Sequence, residues 1–100
     1  MKAFDFGDLV ATRGVVAVAD SSERFKKFLT ACFIRHTDCD WGDLCEEDKA
    51  LNVEALTGGD RLFSAYLIPK KFRDLTDEEK IWIITEADRS VTTILFPSEY

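Results

Sequence analysis

The stretch DSSERFKKFLTACFIRH, residues 20–36, carries the strongest structural signal in this chain of 100 residues. Its large apolar side chains and its histidine recur every three or four positions, as residues on one face of an α-helix do. Asp20 and Glu23 stand three residues apart, which is the spacing of a capping pair at a helix start. The stretch therefore predicts a helix that begins near Asp20 and buries one stripe. The residues of this stripe are Phe25, Phe28, Leu29, Cys32, Phe33 and His36.

A second capping pair, Asp43 with Glu46, predicts a helix that continues through Leu56. Gly58 and Gly59 follow, and glycine tolerates the positive φ at which many helices end. The middle of the chain is therefore expected to be helical. The residues expected on the inward face of this helix are Leu44, Leu51 and Ala55.

The second half of the chain has the composition of β-strands. Three runs are rich in isoleucine, valine, threonine and aromatic residues, and we expect them to pair in antiparallel order. They are RLFSAYLI (residues 61–68), IWIITEA (residues 81–87) and SVTTILF (residues 90–96). ADRS forms the tight connection between the last two runs. In the longer link, residues 69–80, the T-D-E-E motif predicts a single helical turn.

The first twenty residues give a weaker signal. DLVATR, residues 8–13, is closed by Gly14 and predicts a short strand that enters a turn. VVAVA, residues 15–19, fits a strand by its valine content and one or two helical turns by its position, and a helix is favoured. The predicted fold class is α+β, with a single domain over residues 1–100. Two or three helices pack on a small antiparallel sheet that ends in a C-terminal three-stranded meander.

The charge balance is acidic, with 13 basic residues, 19 acidic residues and a formal net charge of −6. Because proteins bind nucleic acid mainly by neutralising phosphates with lysine and arginine, we expect no direct nucleic-acid binding. No apolar run reaches the roughly 18 residues that a membrane span needs, and MKAFDFGD lacks a charged-then-apolar leader. The three cysteines, an odd number, favour a cytoplasmic protein with reduced thiols.

Three segments carry a resemblance to a known family: VATRG, DWGDLCEED and IWIITEADRSVTTILFPSEY. In this order they resemble the small plasmid-related proteins of bacterial mobile elements, and the ITEADRS-x-TTIL-x-P-x-EY tail is the most specific part. The cysteines and the longer link at residues 69–80 depart from the family. Such proteins often carry the label of a type I restriction endonuclease M subunit, which is unreliable because a methyltransferase needs a far larger cofactor-binding domain. The resemblance implies no catalytic residues.

The segment HTDCDWGDLCEED, which starts at the only histidine, allows two interpretations. His36, Cys39 and Cys45 supply three potential zinc ligands, with Asp40 or Cys32 as a fourth, but their spacing matches no named zinc finger. A metal-dependent regulator or enzyme built on the first three is the weaker alternative. The same residues are also explained by the buried C-terminus of one helix followed by the acidic N-terminus of the next. We therefore predict no metal, no cofactor and no catalytic residue.

The acids of this segment form the predicted partner-binding surface, since no basic residue interrupts them. An exposed tryptophan among them would anchor a basic protein while the carboxylates steer its approach, although a ring tucked under its own loop is the competing interpretation. The predicted binding residues are Asp38, Asp40, Trp41, Asp43, Glu46 and Glu47. A secondary candidate surface comprises Glu86, Asp88 and Arg89, which at a hairpin end also fit a purely turn-forming role.

The expected function is that of a small, acidic, non-catalytic protein of a mobile genetic element. It would bind and inhibit a host defence nuclease complex, in the manner of an anti-CRISPR or antirestriction protein, by imitating nucleic acid at a basic groove. The alternative is an accessory of plasmid maintenance that binds another protein. The sequence leaves the oligomeric state open.

Overall fold

The computed structural model describes residues 3–100, so the single-domain prediction extends to two residues, Met1 and Lys2, that lie outside the described part. Four strands and three helices form within that part. They are β1 (Asp8–Ala11), α1 (Arg13–Ser21), α2 (Glu23–Thr37), α3 (Glu46–Gly58), β2 (Leu62–Leu67), β3 (Lys80–Thr85) and β4 (Val91–Leu95). The predicted α+β class is confirmed. Each of these helices is too short or too polar to span a lipid bilayer.

The four strands form one sheet in the order β1-β4-β3-β2. Strands β2, β3 and β4 pair in antiparallel fashion, which confirms the three-stranded meander. The expectation of a wholly antiparallel sheet is wrong, because β1 pairs in parallel with β4. Three helices and two strands separate β1 from β4 along the chain, and this length permits the long crossover that parallel neighbours require.

The segment that follows β1 forms two consecutive helices. Residues 15–19 lie in α1, which decides the open choice there in favour of a helix. The predicted cap of the next helix is wrong, because Asp20 lies inside α1. The cap of α2 is Ser22, whose hydroxyl accepts a hydrogen bond from the backbone N–H of Phe25. Ser22 is extended, with φ of −154°, so the chain turns two residues later than the D-x-x-E pattern indicates.

The main core lies between α1, α2 and one face of the sheet. Phe25 is fully buried there and Leu29 is buried beside it, as the helical stripe predicts. Phe28 and Phe33 lie at the margin of the core and are only partly buried. The sheet residues buried in this cluster are Tyr66, Ile81, Ile83 and Ile94. The direction of the stripe is therefore correct, but two of its phenylalanines are less deeply buried than the others.

The start of α3 differs from the prediction, and its end agrees. Its cap position is Cys45, which makes no side-chain capping hydrogen bond, so the predicted pairing of Asp43 with Glu46 is wrong. The helix ends at Gly58, and Gly59 follows with the positive φ of 78° expected of a glycine at that place.

The inward face of α3 is more polar than expected. Ala55 is buried and Leu44 packs partly buried against the same small cluster. Leu51, however, is 60% exposed, and the buried position next to it belongs to Asn52. The physical reason is that Asn52 meets backbone groups at the edge of β2, where an amide side chain finds partners and leucine would not.

The link between β2 and β3 contains a single 3₁₀ turn, but at Lys70–Phe72 and not at the T-D-E-E motif. Phe72 is buried in the main core, and its burial places the turn there. Thr76 instead accepts a hydrogen bond from the backbone N–H of Glu78, which makes a local turn without a helix.

Candidate functional site

The segment between α2 and α3, residues 38–45, is called the acidic segment and runs along the free edge of β2. The backbone N–H of Ala65 donates to the carbonyl of Trp41 over 3.2 Å, and the N–H of Asp43 donates to the carbonyl of Ala65 over 2.7 Å. The carboxylate of Asp43 accepts a further hydrogen bond from the N–H of Leu67 at 2.9 Å. Asp43 is thus a partner of the strand edge and not a helix cap.

Asn52 on α3 completes this closure of the β2 edge. Its side-chain nitrogen donates to the carbonyl of Phe63 over 2.7 Å, and its side-chain oxygen accepts from the N–H of Phe63 over 3.0 Å. The amide therefore replaces one residue of a neighbouring strand. Because open strand edges invite pairing with other chains, this arrangement protects β2 from such pairing.

Gly42 allows the acidic segment to approach the strand so closely. It has a φ of 75°, and a Cβ built on it would lie 2.1 Å from the carbonyl oxygen of Ala65. Any side chain would therefore separate the two backbones.

Trp41 is buried, with 5% of its surface exposed, so the expectation of an exposed aromatic anchor is wrong. Its ring stacks with Phe4 at 6.3 Å between centroids and meets the ring of His36 edge-on at 5.7 Å. The pairing of its backbone with Ala65 turns the side chain under the segment, against the small cluster that includes Leu62. Trp41 therefore supports the acidic segment from below.

Asp40 forms an ion pair with Arg35, with 2.7 Å between Oδ2 and Nε. The hydrogen bond from Arg35 lowers the pKa of Asp40, and the same contact raises the pKa of Arg35. The guanidinium also lies 4.7 Å from the centre of the Tyr66 ring, while the Tyr66 hydroxyl donates to the Asp40 carbonyl at 2.6 Å. Asp40 is exposed, and its charge is paired with that of Arg35.

The remaining acids stay on the surface. Glu46, Glu47 and Asp48 occupy the first turn of α3 and are exposed, and Asp38 is exposed at the end of α2. Carboxylates in a first helical turn interact favourably with the partial positive charge of the helix N-terminus, which stabilises this arrangement. Lys49 lies 3.8 Å from Glu46, a distance typical of a weak surface ion pair. We define the acidic face as Asp38, Asp43, Glu46, Glu47 and Asp48.

His36 lies beside the Trp41 ring and is fully buried. Its Nδ1 lies 2.5 Å from the hydroxyl of Ser64, and its Nε2 lies 2.9 Å from the hydroxyl of Thr85. The Thr85 hydroxyl continues to that of Thr92 at 2.7 Å, and Thr92 donates to the carbonyl of Phe6.

This chain of hydrogen bonds determines which nitrogen of the neutral imidazole carries the proton. Since the single proton of Thr92 goes to a carbonyl, Thr85 must donate to Thr92 and accept from Nε2–H of His36. Burial lowers the pKa of His36 to about 4, so the ring is neutral near pH 7. In the neutral ring with its proton on Nε2, Nδ1 accepts the hydrogen bond from the Ser64 hydroxyl.

No family model, curated protein or solved structure matches this chain. The site is therefore interpreted from its own geometry and chemistry.

The alternative metal site of His36, Cys39 and Cys45 does not assemble. Among residues 3–100, no group of three or more His, Cys, Asp and Glu side chains is placed to hold a metal ion. Both ring nitrogens of His36 are occupied by hydroxyl groups. Cys45 is exposed at the start of α3, and Cys39 is partly buried.

The secondary candidate residues Glu86, Asp88 and Arg89 form a structured turn between β3 and β4. Asp88 accepts hydrogen bonds from the backbone and hydroxyl of Ser90, which lower its pKa. Glu86 pairs with Arg61 at 3.2 Å. These contacts assign the two acids to the support of the turn.

Arg89 connects this turn to the end of α3. Its guanidinium donates to the carbonyl of Ala55 at 2.8 Å and to the carbonyl of Asp60 at 2.7 Å, besides two carbonyls of its own turn. A cation at a helix C-terminus is stabilising, and arginine supplies enough donors to serve several carbonyls.

An apolar cleft of about 270 Å³ lies on the sheet face opposite the main core, and the sequence analysis missed it. Its walls are Arg61, Phe63, Trp82, Ile84 and Tyr100. The alternation of side chains along the strands could have indicated this cleft. Phe63 and Trp82 are each adjacent in sequence to buried strand residues, so their side chains face the other side of the sheet.

Proposed function

We propose that this protein acts by binding a basic protein surface through the acidic face. The observation that carries the proposal is the first turn of α3, where Glu46, Glu47 and Asp48 present three consecutive exposed carboxylates. Asp43 adds a carboxylate at the edge of β2, and Asp38 is exposed at the end of α2. Carboxylates held on folded backbone meet a basic partner with little further loss of backbone entropy.

The partner that we propose is a host defence nuclease complex, whose nucleic-acid groove is lined by lysine and arginine. The net charge of −6 supports this choice, because such a groove attracts a compact polyanion over long range. The resemblance to plasmid-related proteins supplies a reason for the inhibition of such a complex. In this proposal the acidic face imitates the phosphates of a nucleic-acid backbone, and no catalytic residue of the small protein takes part.

The burial of Trp41 changes how this binding would work. Without an aromatic anchor in the acidic face, the electrostatic contribution dominates, so association should slow steeply as salt is added. Replacement of Trp41 would weaken binding only by disturbing the support of the acidic segment.

The second candidate is an accessory of plasmid maintenance that uses the same acidic face on another plasmid-encoded protein. The geometry of the face is equally suited to either basic partner. Capture experiments with purified host nuclease complexes distinguish the two, because only the first candidate predicts capture of the nuclease and loss of its cleavage activity.

A pair of charge-reversed variants provides the test. The double substitution Glu46→Lys and Glu47→Lys should abolish capture of the nuclease complex and restore its DNA cleavage. The matched control is Asp77→Lys with Glu79→Lys, which changes the net charge equally at exposed acids in the link between β2 and β3. Circular dichroism should show native folding of both variants, since exposed substitutions usually change stability by less than about 0.5 kcal/mol. Equal loss of binding in both variants would show that overall charge, and not the acidic face, is responsible.

A further inference from the structure

The two edges of the sheet are treated differently by the rest of the fold. The edge of β2 is closed by Asn52, by the carboxylate of Asp43 and by the backbone around Gly42. The other edge is β1, and all four of its residues are exposed. Within residues 3–100, then, one edge has dedicated partners and the other is open. An open edge is a template for pairing with a further strand.

The backbone groups of β1 that point away from the sheet can be assigned. Asp8 N donates to Ser90 O, and Thr12 N donates to Ile94 O, each over 3.0 Å, so the even-numbered positions face β4. Because main-chain groups alternate in direction along a strand, the N–H and C=O groups of Leu9 and Ala11 face outwards. Leu9 and Ala11 are separated by Val10, which faces β4. They therefore have the spacing of two hydrogen-bonded positions in an antiparallel strand pair.

Three of the four side chains of this edge are apolar. Leu9 is 46% exposed and Val10 is 43% exposed, and Val16 on the adjoining helix α1 is also 43% exposed. Sheet edges that avoid association usually carry lysine, proline or a bulge. Strand β1 has none of these, and burial of its apolar side chains would favour a partner strand.

We infer that β1 pairs with β1 of a second copy of this chain, antiparallel and about a two-fold axis at Val10. In this register Leu9 lies opposite the partner subunit's Ala11, and the two Val10 side chains meet on the axis. Asp8 lies opposite the partner subunit's Thr12, and the residue after it is the partner subunit's Arg13. Asp8 and Arg13 are both exposed and of opposite charge. Arg13 is the first residue of α1 and has a long side chain, so this register brings the opposite charges of the two subunits near each other.

The dimer would join two sheets into one continuous sheet of eight strands. The closed β2 edges, and with them the two acidic faces, would lie at its opposite ends. The short strand limits the contact to few hydrogen bonds and few apolar groups, so the association is weak and reversible. This inference does not depend on the function proposed for the acidic face.

Sedimentation equilibrium of the full chain tests the dimer, at concentrations from about 10 μM to about 1 mM, where small interfaces associate. The wild type should shift from monomer to dimer, and slower hydrogen exchange at the Leu9 and Ala11 amides should accompany the shift. Val10→Lys places two like charges on the axis and should leave a monomer throughout. Ile34→Lys removes a somewhat more exposed apolar residue from α2 and should leave the dimer intact.

A charge exchange tests the register. Asp8→Lys alone should weaken the dimer about tenfold, because it replaces two ion pairs by two repulsions, and addition of Arg13→Glu should restore it. A wild-type chain that stays monomeric over the whole range overturns the inference. So does a folded Val10→Lys variant that dimerises as tightly as the wild type, since the contact would then lie elsewhere.

Discussion

His36 on α2 donates its Nε2 proton to the hydroxyl of Thr85 on β3, with 2.9 Å between the two heavy atoms. Both residues are fully buried, and every buried polar side-chain atom in the described part of the chain has a hydrogen-bond partner. The contact thus joins the helical layer to the sheet through a polar connection inside an otherwise apolar interior. Such a connection is stable only while the imidazole remains neutral.

The first prediction is a loss of stability in mild acid caused by His36. Its pKa in the folded protein is lowered by burial to about 4, below its ordinary value of 6.5. His36 therefore binds a proton near pH 6.5 in the unfolded chain, but only near pH 4 in the folded chain. Stability is complete above pH 6.5 and falls as the pH decreases, by about 2 kcal/mol at about pH 5. Urea unfolding across this range measures the effect.

The control for this prediction is His36→Gln, which retains one donor for Thr85 and one acceptor for Ser64 but does not titrate. Its stability should be lower overall but flat between about pH 7 and about pH 5, where most carboxylates remain ionised. A wild type and a variant with the same slope in this range would assign the pH dependence to other groups.

The second prediction concerns the closed edge of β2. Asn52→Ala should lower the free energy of unfolding by about 2 kcal/mol, because the N–H and C=O of Phe63 lose their partners. Val53→Ala is the matched control, since the neighbouring Val53 is 60% exposed and should change stability little. Concentration-dependent aggregation of the Asn52 variant, measured by light scattering, would follow from the reopened edge. Equal stability of both variants would contradict the role given to Asn52.

The third prediction concerns Glu99, which caps α1 from the other end of the chain. Its carboxylate accepts hydrogen bonds from the hydroxyl of Thr12 at 2.5 Å, from Gly14 N at 2.9 Å and from Phe96 N at 3.1 Å. Burial acts to raise the pKa of Glu99, but these hydrogen bonds outweigh it and lower the pKa. Glu99→Ala should therefore cost about 1 to 2 kcal/mol in thermal or urea unfolding. Glu54→Ala, at an exposed position of α3, should cost far less.

The fourth prediction compares two phenylalanines of the same helix stripe. Phe25 is fully buried, and Phe25→Ala should cost about 3 to 5 kcal/mol because it removes a large side chain from the centre of the core. Phe28 is only partly buried, so Phe28→Ala should cost less than about 3 kcal/mol. Urea unfolding of both variants checks the order, and a larger loss at Phe28 would contradict the packing described for α2.

The fifth prediction is the order in which the three thiols react with iodoacetamide. Cys45 is exposed and should react first, followed by Cys39, whose pKa is raised by burial and by the nearby Asp38. Cys32 is 1% exposed, and burial raises its pKa to about 12, so it should react only on unfolding. Labelling followed by mass spectrometry gives the order, and the urea-unfolded chain, in which all three should react alike, serves as the control. Fast labelling of native Cys32 would show an opening of the core that this fold does not contain.

The sequence by itself determined most of the helices and strands and the inward face of α2. The spacing of Phe25, Leu29 and Cys32 specifies the buried side of α2, and the β-branched runs specify the strands of the meander. Both signals are local, because a helix repeats every 3.6 residues and a strand every two, whatever lies beyond the segment. Gly59 is equally local, since its positive φ is needed wherever the helix ends.

The acidic segment could be recognised from the sequence. Which of its residues are buried, which are paired and which are exposed could not be predicted. Trp41 lies inward because its backbone pairs with Ala65, which is 24 positions away. Asp40 forms an exposed ion pair because the end of α2 brings Arg35 beside it, while Glu46 and Glu47 lie on the first turn of α3. No periodicity within the segment encodes these outcomes, since they depend on which strand edge the segment meets.

Only the tertiary structure decided the long-range relations of the fold. The parallel pairing of β1 with β4, the capping of α1 by Glu99 and the hydrogen bonds from His36 to Ser64 and Thr85 join positions far apart in the chain. Each of these groups, taken alone, could pair with many other groups of the same chemical type. The choice among them is made by the packing of the helices on the sheet, because this arrangement buries much of the apolar stripe and leaves every buried polar side-chain atom of residues 3–100 with a partner.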